Sequence, residues 1–111
     1  MQINFHNRKL EKTFNSAKSL QKQYGKRMAR TIMRRLAVLK AAGSLALVPT
    51  PPPERRHQLG SDRKGQYAVD LVHPYRLIFK PNHEPVLRKQ DGAIDTEQVT
   101  AIKIIEIVDY H

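Results

Sequence analysis

The chain has 111 residues, a length that fits one domain. It contains no cysteine, which excludes a disulfide framework, a thiolate metal site and a cysteine nucleophile. Its 20 lysine and arginine residues outnumber 10 acidic residues, and the formal net charge of +10 favours a polyanionic partner, most often nucleic acid.

The positive charge is concentrated in the first part of the chain. Residues 1–64 carry 15 basic and 3 acidic side chains, whereas residues 65–111 carry 5 basic and 7 acidic ones. A membrane surface suits the chain less well, because an interfacial helix is usually rich in Trp or Phe and the chain has no Trp and three Phe. No stretch resembles a signal peptide or approaches the ~18 apolar residues of a membrane span. We therefore expect a cytoplasmic protein with no membrane partner.

The first half of the chain predicts one strand followed by two helices. Residues 2–5 alternate polar and apolar side chains, as a short strand does. Residues 7–24 repeat apolar side chains at helical spacing, and Gly25 is a stop signal. A second helix is expected from Lys26 to Ala42, and the near absence of a linker predicts an antiparallel helical hairpin. The basic face of this second helix is formed by Lys26, Arg27, Arg30, Arg34 and Arg35.

The second half of the chain predicts strands. Prolines between residues 49 and 53 break the helical pattern and favour an extended connector. Strands are expected at residues 55–59, 66–72, 75–80 and 101–108. The last strand follows a polar loop and one helical turn capped by Asp95, and its apolar residues on both faces suit an internal position in a sheet.

Together these elements predict an α+β fold with a single domain over residues 1–111. An N-terminal strand and a two-helix hairpin are expected to pack on a mostly antiparallel sheet of four to five strands. In the strand at 75–80, alternation assigns Leu77 and Phe79 to one face, and Arg76 and Ile78 to the other.

An acid, a phenol and an imidazole stand directly after the closing strand, where chains usually fray. These residues are Asp109, Tyr110 and His111. Strand alternation predicts that Asp109 and His111 leave the same face and that Tyr110 leaves the other. The chain has none of the clustered His or Cys spacings of a metal site, so we expect no metal and no cofactor.

Three segments taken in order resemble the HigB-type toxins of the RelE/ParE superfamily. They are HQLGSDRKGQYAVDL, YRLIF and the closing IEIVDYH. The resemblance extends over most of the chain, from the helix pair to the last residue. It implies a RelE-like fold and a toxin of a bacterial toxin–antitoxin system that cleaves mRNA on the ribosome without a metal. It also implies three partners: mRNA on the ribosome, ribosomal RNA and a cognate helix-turn-helix antitoxin.

The same resemblance implies a catalytic set of His57, Arg76, Asp109, Tyr110 and His111. Cleavage by the 2′-hydroxyl of RNA needs a base, an acid and a cation beside the phosphate. His57 and His111 are the acid and base in either order, because an imidazole titrates near neutrality. Asp109 would orient a histidine or act as the base itself. Tyr110 would stack on a nucleobase or bind the phosphate, and Arg76 would neutralise the charge that develops there.

The basic residues outside this set are candidates for binding RNA. Arg63 and Lys64 lie in the turn SDRKG, where they would contact phosphate or form a hairpin charge pair with Asp62. On the second helix Lys26, Arg27, Arg30 and Arg34 would grip ribosomal RNA through its phosphates.

Each candidate also has a structural interpretation. His57 would then be a solvated strand residue, Arg76 would cover an apolar sheet face with its stem, and the last three residues would be a polar chain end. His73 and His83 are expected at the surface. Two rival functions stay open: a ParE-like toxin that binds DNA gyrase and cuts nothing, and a small basic RNA-binding protein without catalysis. Compact members of the family are shorter, and the additional residues here fall at 81–96.

Overall fold

The computed structural model describes residues 1–109, so the predictions for Tyr110 and His111 lie outside it. The strands in this range are β1 (Gln2–Phe5), β2 (His57–Gln58), β3 (Tyr67–Asp70), β4 (Tyr75–Pro81) and β5 (Ala101–Asp109). The α-helices are α1 (Arg8–Phe14), α2 (Ala17–Tyr24) and α3 (Lys26–Ala41). The predicted α+β class is confirmed, and a strand lies within or near each predicted segment, although β2 and β3 are shorter than the predicted 55–59 and 66–72.

The strands form one sheet in the order β1-β5-β4-β3-β2. β1 runs parallel to β5, and the other neighbours are antiparallel. β5 lies between β1 and β4, which confirms the internal position predicted from its apolar residues on both faces. The mostly antiparallel sheet of five strands therefore agrees with the sequence-based expectation.

The helical region differs from the prediction, because the first helix is divided in two. The side chain of Ser16 accepts a hydrogen bond from the backbone N–H of Ser19 and caps α2, so the chain leaves the helical path between α1 and α2. At the next junction Gly25 has φ of +85°, a left-handed conformation that suits glycine and turns the chain from α2 into α3. α2 packs against α3.

The two faces of the sheet have different environments. On one face, Val69, Leu77 and Phe79 form a core with helix residues that include Ile32 and Leu39, and all five are fully buried. This face, which we call the helix face, confirms the predicted direction of Leu77 and Phe79.

The opposite face, which we call the open face, carries polar and charged side chains. The register pairs Asp70 with Arg76, and Ala68 with both His57 and Ile78, so by strand alternation these residues share that face. Two hydrophobic positions, Ala68 and Ile78, are fully buried within it. The open face therefore combines a small apolar floor with a ring of ionisable groups.

A long segment between β4 and β5 is anchored rather than extended into solvent. Arg88 and Ile94 form an isolated β-bridge, and Ile94 is buried in the core. The imidazole Nε2 of His83 accepts backbone N–H groups of Thr100 and Ala101, at 3.1 and 3.3 Å. His83 therefore has a structural role, because it binds the backbone at the start of β5. We call this contact the His83 clamp, and the surface role expected for His83 is incomplete.

The helical turn predicted near Asp95 is a 3₁₀ turn at Thr96–Gln98. The Asp95 side chain makes no capping bond to the backbone and instead accepts a hydrogen bond from the Gln98 amide at 2.7 Å. The prediction of a capping side chain at this position is wrong.

Candidate active site

His57 lies on the open face at the start of β2 and is partly buried. Its Nδ1 is 2.8 Å from the carbonyl oxygen of Arg55. Because a carbonyl oxygen only accepts, Nδ1 carries the hydrogen in this contact. The lone pair of the neutral ring is then on Nε2, which is 3.4 Å from Nη1 of Arg76. The local backbone thus selects the tautomer that presents a proton acceptor beside a guanidinium.

Arg76 occupies the neighbouring part of β4. Its register partners are Asp70 on β3 and Val108 on β5. Its side chain is partly exposed, and Nε is 3.7 Å from Oδ1 of Asp70. Arg76 therefore lies between a carboxylate and an imidazole, and its guanidinium retains contact with solvent.

Asp70 and Arg55 complete this cluster, and neither was predicted from the sequence as a site residue. Arg55 donates to the carboxylate of Asp70 through two bonds, from Nε to Oδ2 at 2.7 Å and from Nη2 to Oδ1 at 3.1 Å. Hydrogen bonding to Asp70, followed by its charge, raises the pKa of Arg55 above its usual value. We call His57, Arg76, Asp70 and Arg55 the open-face cluster.

Asp109 is at the end of β5 and is exposed. It is the register partner of Tyr75, one position before Arg76, so alternation assigns it to the opposite face of the sheet from Arg76. Two strands, β4 and β3, separate β5 from β2, which places the backbone of Asp109 at least roughly 14 Å from that of His57. The structure therefore brings His57 and Arg76 together, and it does not place Asp109 in contact with His57.

The basic face of α3 divides into an outward part and an inward part. Arg27, Arg30 and Arg34 are exposed and line a surface cavity with Thr31 of α3 and His73 of the β3–β4 turn. We call this cavity the arginine groove. Lys26 is exposed at the first turn of the same helix and does not line the groove.

Arg35 is an exception to the predicted basic face. It is buried, its Nε donates to the backbone carbonyl of Asp70 at 2.6 Å, and its Nη1 is 3.8 Å from a carboxylate oxygen of Glu54. Arg35 therefore fastens α3 to the end of β3 and is unavailable as an exposed cation. Its position follows from helical spacing, since Ile32 and Leu39, three and four residues away, are both fully buried.

Arg63 and Lys64 have different environments. Arg63 donates to the Gln66 side chain at 3.0 Å and lies 3.4 Å from a carboxylate oxygen of Glu106. Because Glu106 belongs to β5, the segment that carries Arg63 reaches across the open face. The alternative pair with Asp62 does not form among the ion pairs of residues 1–109. Lys64 is exposed and lines a second basic cavity with Lys80 and Arg88.

Within residues 1–109, no group of three or more His, Asp or Glu side chains is arranged to hold a metal ion. None of the helices in that range has the length and hydrophobicity needed to cross a membrane.

Comparison of the sequence with protein-family models and with curated proteins finds no match. Comparison of the structure with solved structures does. The YoeB–YefM complex from Staphylococcus aureus aligns with a TM-score of 0.57 and 18% identity, over 100% of this chain and 97% of that one. A YoeB/ParE toxin from Agrobacterium tumefaciens aligns with a TM-score of 0.58 and 11% identity, over 100% of both chains. This chain therefore has the fold of the YoeB/ParE toxins, as expected from a RelE-like architecture.

Proposed function

We propose that this protein is a HigB-type toxin of a type II toxin–antitoxin system, and that it cleaves mRNA on the ribosome without a metal. One observation carries the proposal: Nε2 of His57 faces the Arg76 guanidinium at 3.4 Å, and a backbone carbonyl fixes the tautomer. The YoeB/ParE-like fold supports the assignment to a toxin.

The proposed reaction begins with a proton acceptor at Nε2 of His57. Nε2 removes the proton from a 2′-hydroxyl, whose oxygen then forms a bond to the adjacent phosphorus. The bond from phosphorus to the 5′-oxygen breaks, and that oxygen receives a proton from a general acid. The products are a 2′,3′-cyclic phosphate and a 5′-hydroxyl.

Arg76 supplies the electrostatic contribution to this step. Negative charge accumulates on the non-bridging oxygens as the phosphorane forms, and a guanidinium in contact with the base is well placed to donate hydrogen bonds to them. The partial exposure of Arg76 leaves room for phosphate to approach.

The chain end is proposed to supply the remaining groups. His111 is assigned as the general acid and Tyr110 as a group that stacks on a nucleobase or binds the phosphate. Asp109, at the end of β5, is proposed to orient His111. These roles would complement His57 and Arg76, the proposed base and the proposed cation.

The proposed nucleic-acid partners follow from the charge. The arginine groove and Lys26 are proposed to bind ribosomal RNA through its phosphates, and Arg63 and Lys64 to contact the mRNA backbone. A helix-turn-helix antitoxin is the proposed protein partner, and the cytoplasm the proposed site of action. The structural neighbour from Staphylococcus aureus is a complex of YoeB with YefM.

The decisive experiment maps mRNA 5′ ends on ribosomes after brief induction of the protein. We expect new ends within translated codons for the parent protein and none for His57→Gln. The matched control is His6→Gln, which changes an exposed histidine outside the site and should leave the cleavage pattern intact.

The two rival functions give different outcomes in the same cells. Inhibition of gyrase without new mRNA ends would identify a ParE-like toxin. Ribosome binding without cleavage would identify a non-catalytic RNA-binding protein. Cleavage that persists at full rate in His57→Gln would overturn the assignment of the base.

A further inference from the structure

Asp70 contacts several parts of the site at once. Its carboxylate accepts two hydrogen bonds from Arg55 and lies 3.7 Å from Nε of Arg76. Its backbone carbonyl accepts from Arg35 of α3 at 2.6 Å, and its backbone N–H donates to the carbonyl of Glu54 at 2.8 Å. One residue at the end of β3 therefore joins α3, the connector before β2 and the candidate cation on β4.

The connection to His57 passes through the backbone of Arg55. Arg55 has φ of +48°, a left-handed conformation that is unfavourable for a residue with a side chain. Such a conformation persists where neighbouring contacts over-determine it. Here the Arg55 N–H donates to the carbonyl of Pro51 at 3.0 Å, and its guanidinium is held by Asp70. In this conformation the Arg55 carbonyl accepts the Nδ1 hydrogen of His57.

We propose that Asp70 is a positioning residue that organises both reacting groups of the ribonuclease, an inference that rests on the proposed function. By holding Arg55, Asp70 directs the carbonyl that keeps the Nε2 lone pair of His57 available. By contacting Arg76 from the opposite side, Asp70 limits the orientations of the guanidinium that faces the phosphate.

A simple stabilising ion pair does not explain this arrangement as well. The side chains of Arg55 and Asp70 are 42% and 30% exposed, and pairs as exposed as this contribute little to folding stability. The pair nevertheless coincides with a left-handed backbone and with the carbonyl that binds the candidate base. Its effect is therefore expected on geometry and reactivity more than on stability.

The first test needs no substrate. Nitrogen NMR of the full chain reports which ring nitrogen of His57 carries the hydrogen. We expect the Nδ1–H tautomer to dominate in the parent protein, and Asp70→Asn to shift His57 toward a mixture of tautomers. Asp62→Asn is the matched control, since it removes one negative charge from an exposed residue and should leave the His57 signals unchanged.

The second test is single-turnover cleavage of mRNA on programmed ribosomes. Asp70→Asn should lower the single-turnover rate constant by about 10- to 100-fold and change the half-saturating concentration by less than about 3-fold, because misplacing a reacting group by ~1 Å can cost up to about 100-fold. Asp70→Glu, which keeps the charge, should recover part of the rate. The double variant Asp70→Asn/Arg55→Gln should be no slower than Asp70→Asn, since the first substitution already releases Arg55.

The outcomes separate this inference from the proposed function. If the parent protein cuts no mRNA, the proposed function fails, and the NMR result alone still decides whether Asp70 sets the state of His57. If the parent cuts mRNA but Asp70→Asn keeps its tautomer and rate, the inference is wrong while the function stands. The inference would also be wrong if the cleavage rate of the double variant fell by the product of the two single-variant losses.

Discussion

The arginine groove and the open-face cluster are both rich in arginine, but their charges are arranged differently. In the groove, Arg27, Arg30 and Arg34 are exposed, and none of them belongs to a salt bridge within residues 1–109. In the cluster, Arg55 and Arg76 share the carboxylate of Asp70. Nearby, Arg63 reaches Glu106 and Arg35 reaches Glu54.

The exposed arginines of the groove suit tight binding, whereas the carboxylate-held arginines of the cluster suit precise orientation. Cations without nearby carboxylates release counterions when they meet phosphate, which gives binding that is strong, salt-dependent and indifferent to sequence. Cations held by carboxylates have lower net charge around them but defined directions, which a reaction at one phosphate requires. Under the function proposed above, the groove would serve attachment and the cluster would serve the chemistry.

The largest expected effect on cleavage comes from substituting Arg76 in the open-face cluster. Arg76→Ala should lower single-turnover cleavage by about 10²–10³-fold, the range for removing one preorganised donor at a developing oxyanion. Arg76→Lys should recover only part of the rate, because an ammonium cannot reproduce the geometry of the guanidinium. The control is Arg8→Ala, which removes an exposed arginine at the start of α1. Equal rates for Arg76→Ala and the parent would remove the cation from the mechanism.

The next largest effect is on the free energy of unfolding, measured for substitutions at two adjacent residues of α3. Arg35→Met should reduce the free energy of unfolding by about 2–3 kcal/mol, because it removes charged hydrogen bonding to Asp70 and leaves Glu54 without its buried partner. Arg34→Met, on the exposed side, should change it by less than about 0.5 kcal/mol. Urea denaturation followed by circular dichroism measures both. Similar values for the two variants would contradict the inward and outward division of the helix.

A smaller effect is expected when the groove is neutralised. A triple variant in which Gln replaces Arg27, Arg30 and Arg34 should bind ribosomes more weakly. The slope of log K against log salt concentration should become shallower by about 0.7–0.9 for each phosphate that the variant no longer neutralises. The cleavage rate at saturating protein should stay within about 3-fold of the parent. Sedimentation with ribosomes at several salt concentrations gives the slope. An unchanged slope would show that the attachment surface lies elsewhere.

The smallest effect tests a residue outside both regions. His83→Ala removes the acceptor for two backbone N–H groups at the start of β5 and should destabilise the fold by about 1 kcal/mol. Amide hydrogen exchange should increase at Thr100 and Ala101, while ribosome binding and cleavage at 25 °C stay close to the parent. A large loss of cleavage in a folded His83→Ala protein would connect the clamp to the site.

The fold could be read from the sequence because its signals are local. The alternating residues of β4 and the apolar residues of β5 predicted strands. In the structure, the apolar side of β4 faces the core and β5 lies inside the sheet, as those patterns indicate. The break between α1 and α2 could also have been predicted, since Ser16 is followed by helix-forming residues and a serine in that position is a typical N-cap. Arg35 was also readable, because residues 32 and 39 define a stripe that passes close to it.

The cluster could be predicted only in part, because its geometry depends on contacts distant in sequence. His57 and Arg76 were identified through the resemblance, and the structure places them in contact. Asp70 has no unusual local context, and its importance arises from the β3–β4 register and from the irregular backbone at Arg55. The roles of Asp109, Tyr110 and His111 stay predictions.

The parallel pairing of β1 with β5 has a consequence for biosynthesis. The register joins Gln2 to Ala101, so β1 meets this partner only after the helices and strands between them have been translated. β4, which bears Arg76, also needs β5 along its other edge. Protease sensitivity of stalled nascent chains should therefore fall sharply only once β5 has emerged. Under the function proposed above, the strand that bears Arg76 would gain its full set of neighbours only after β5 has left the ribosome that makes it.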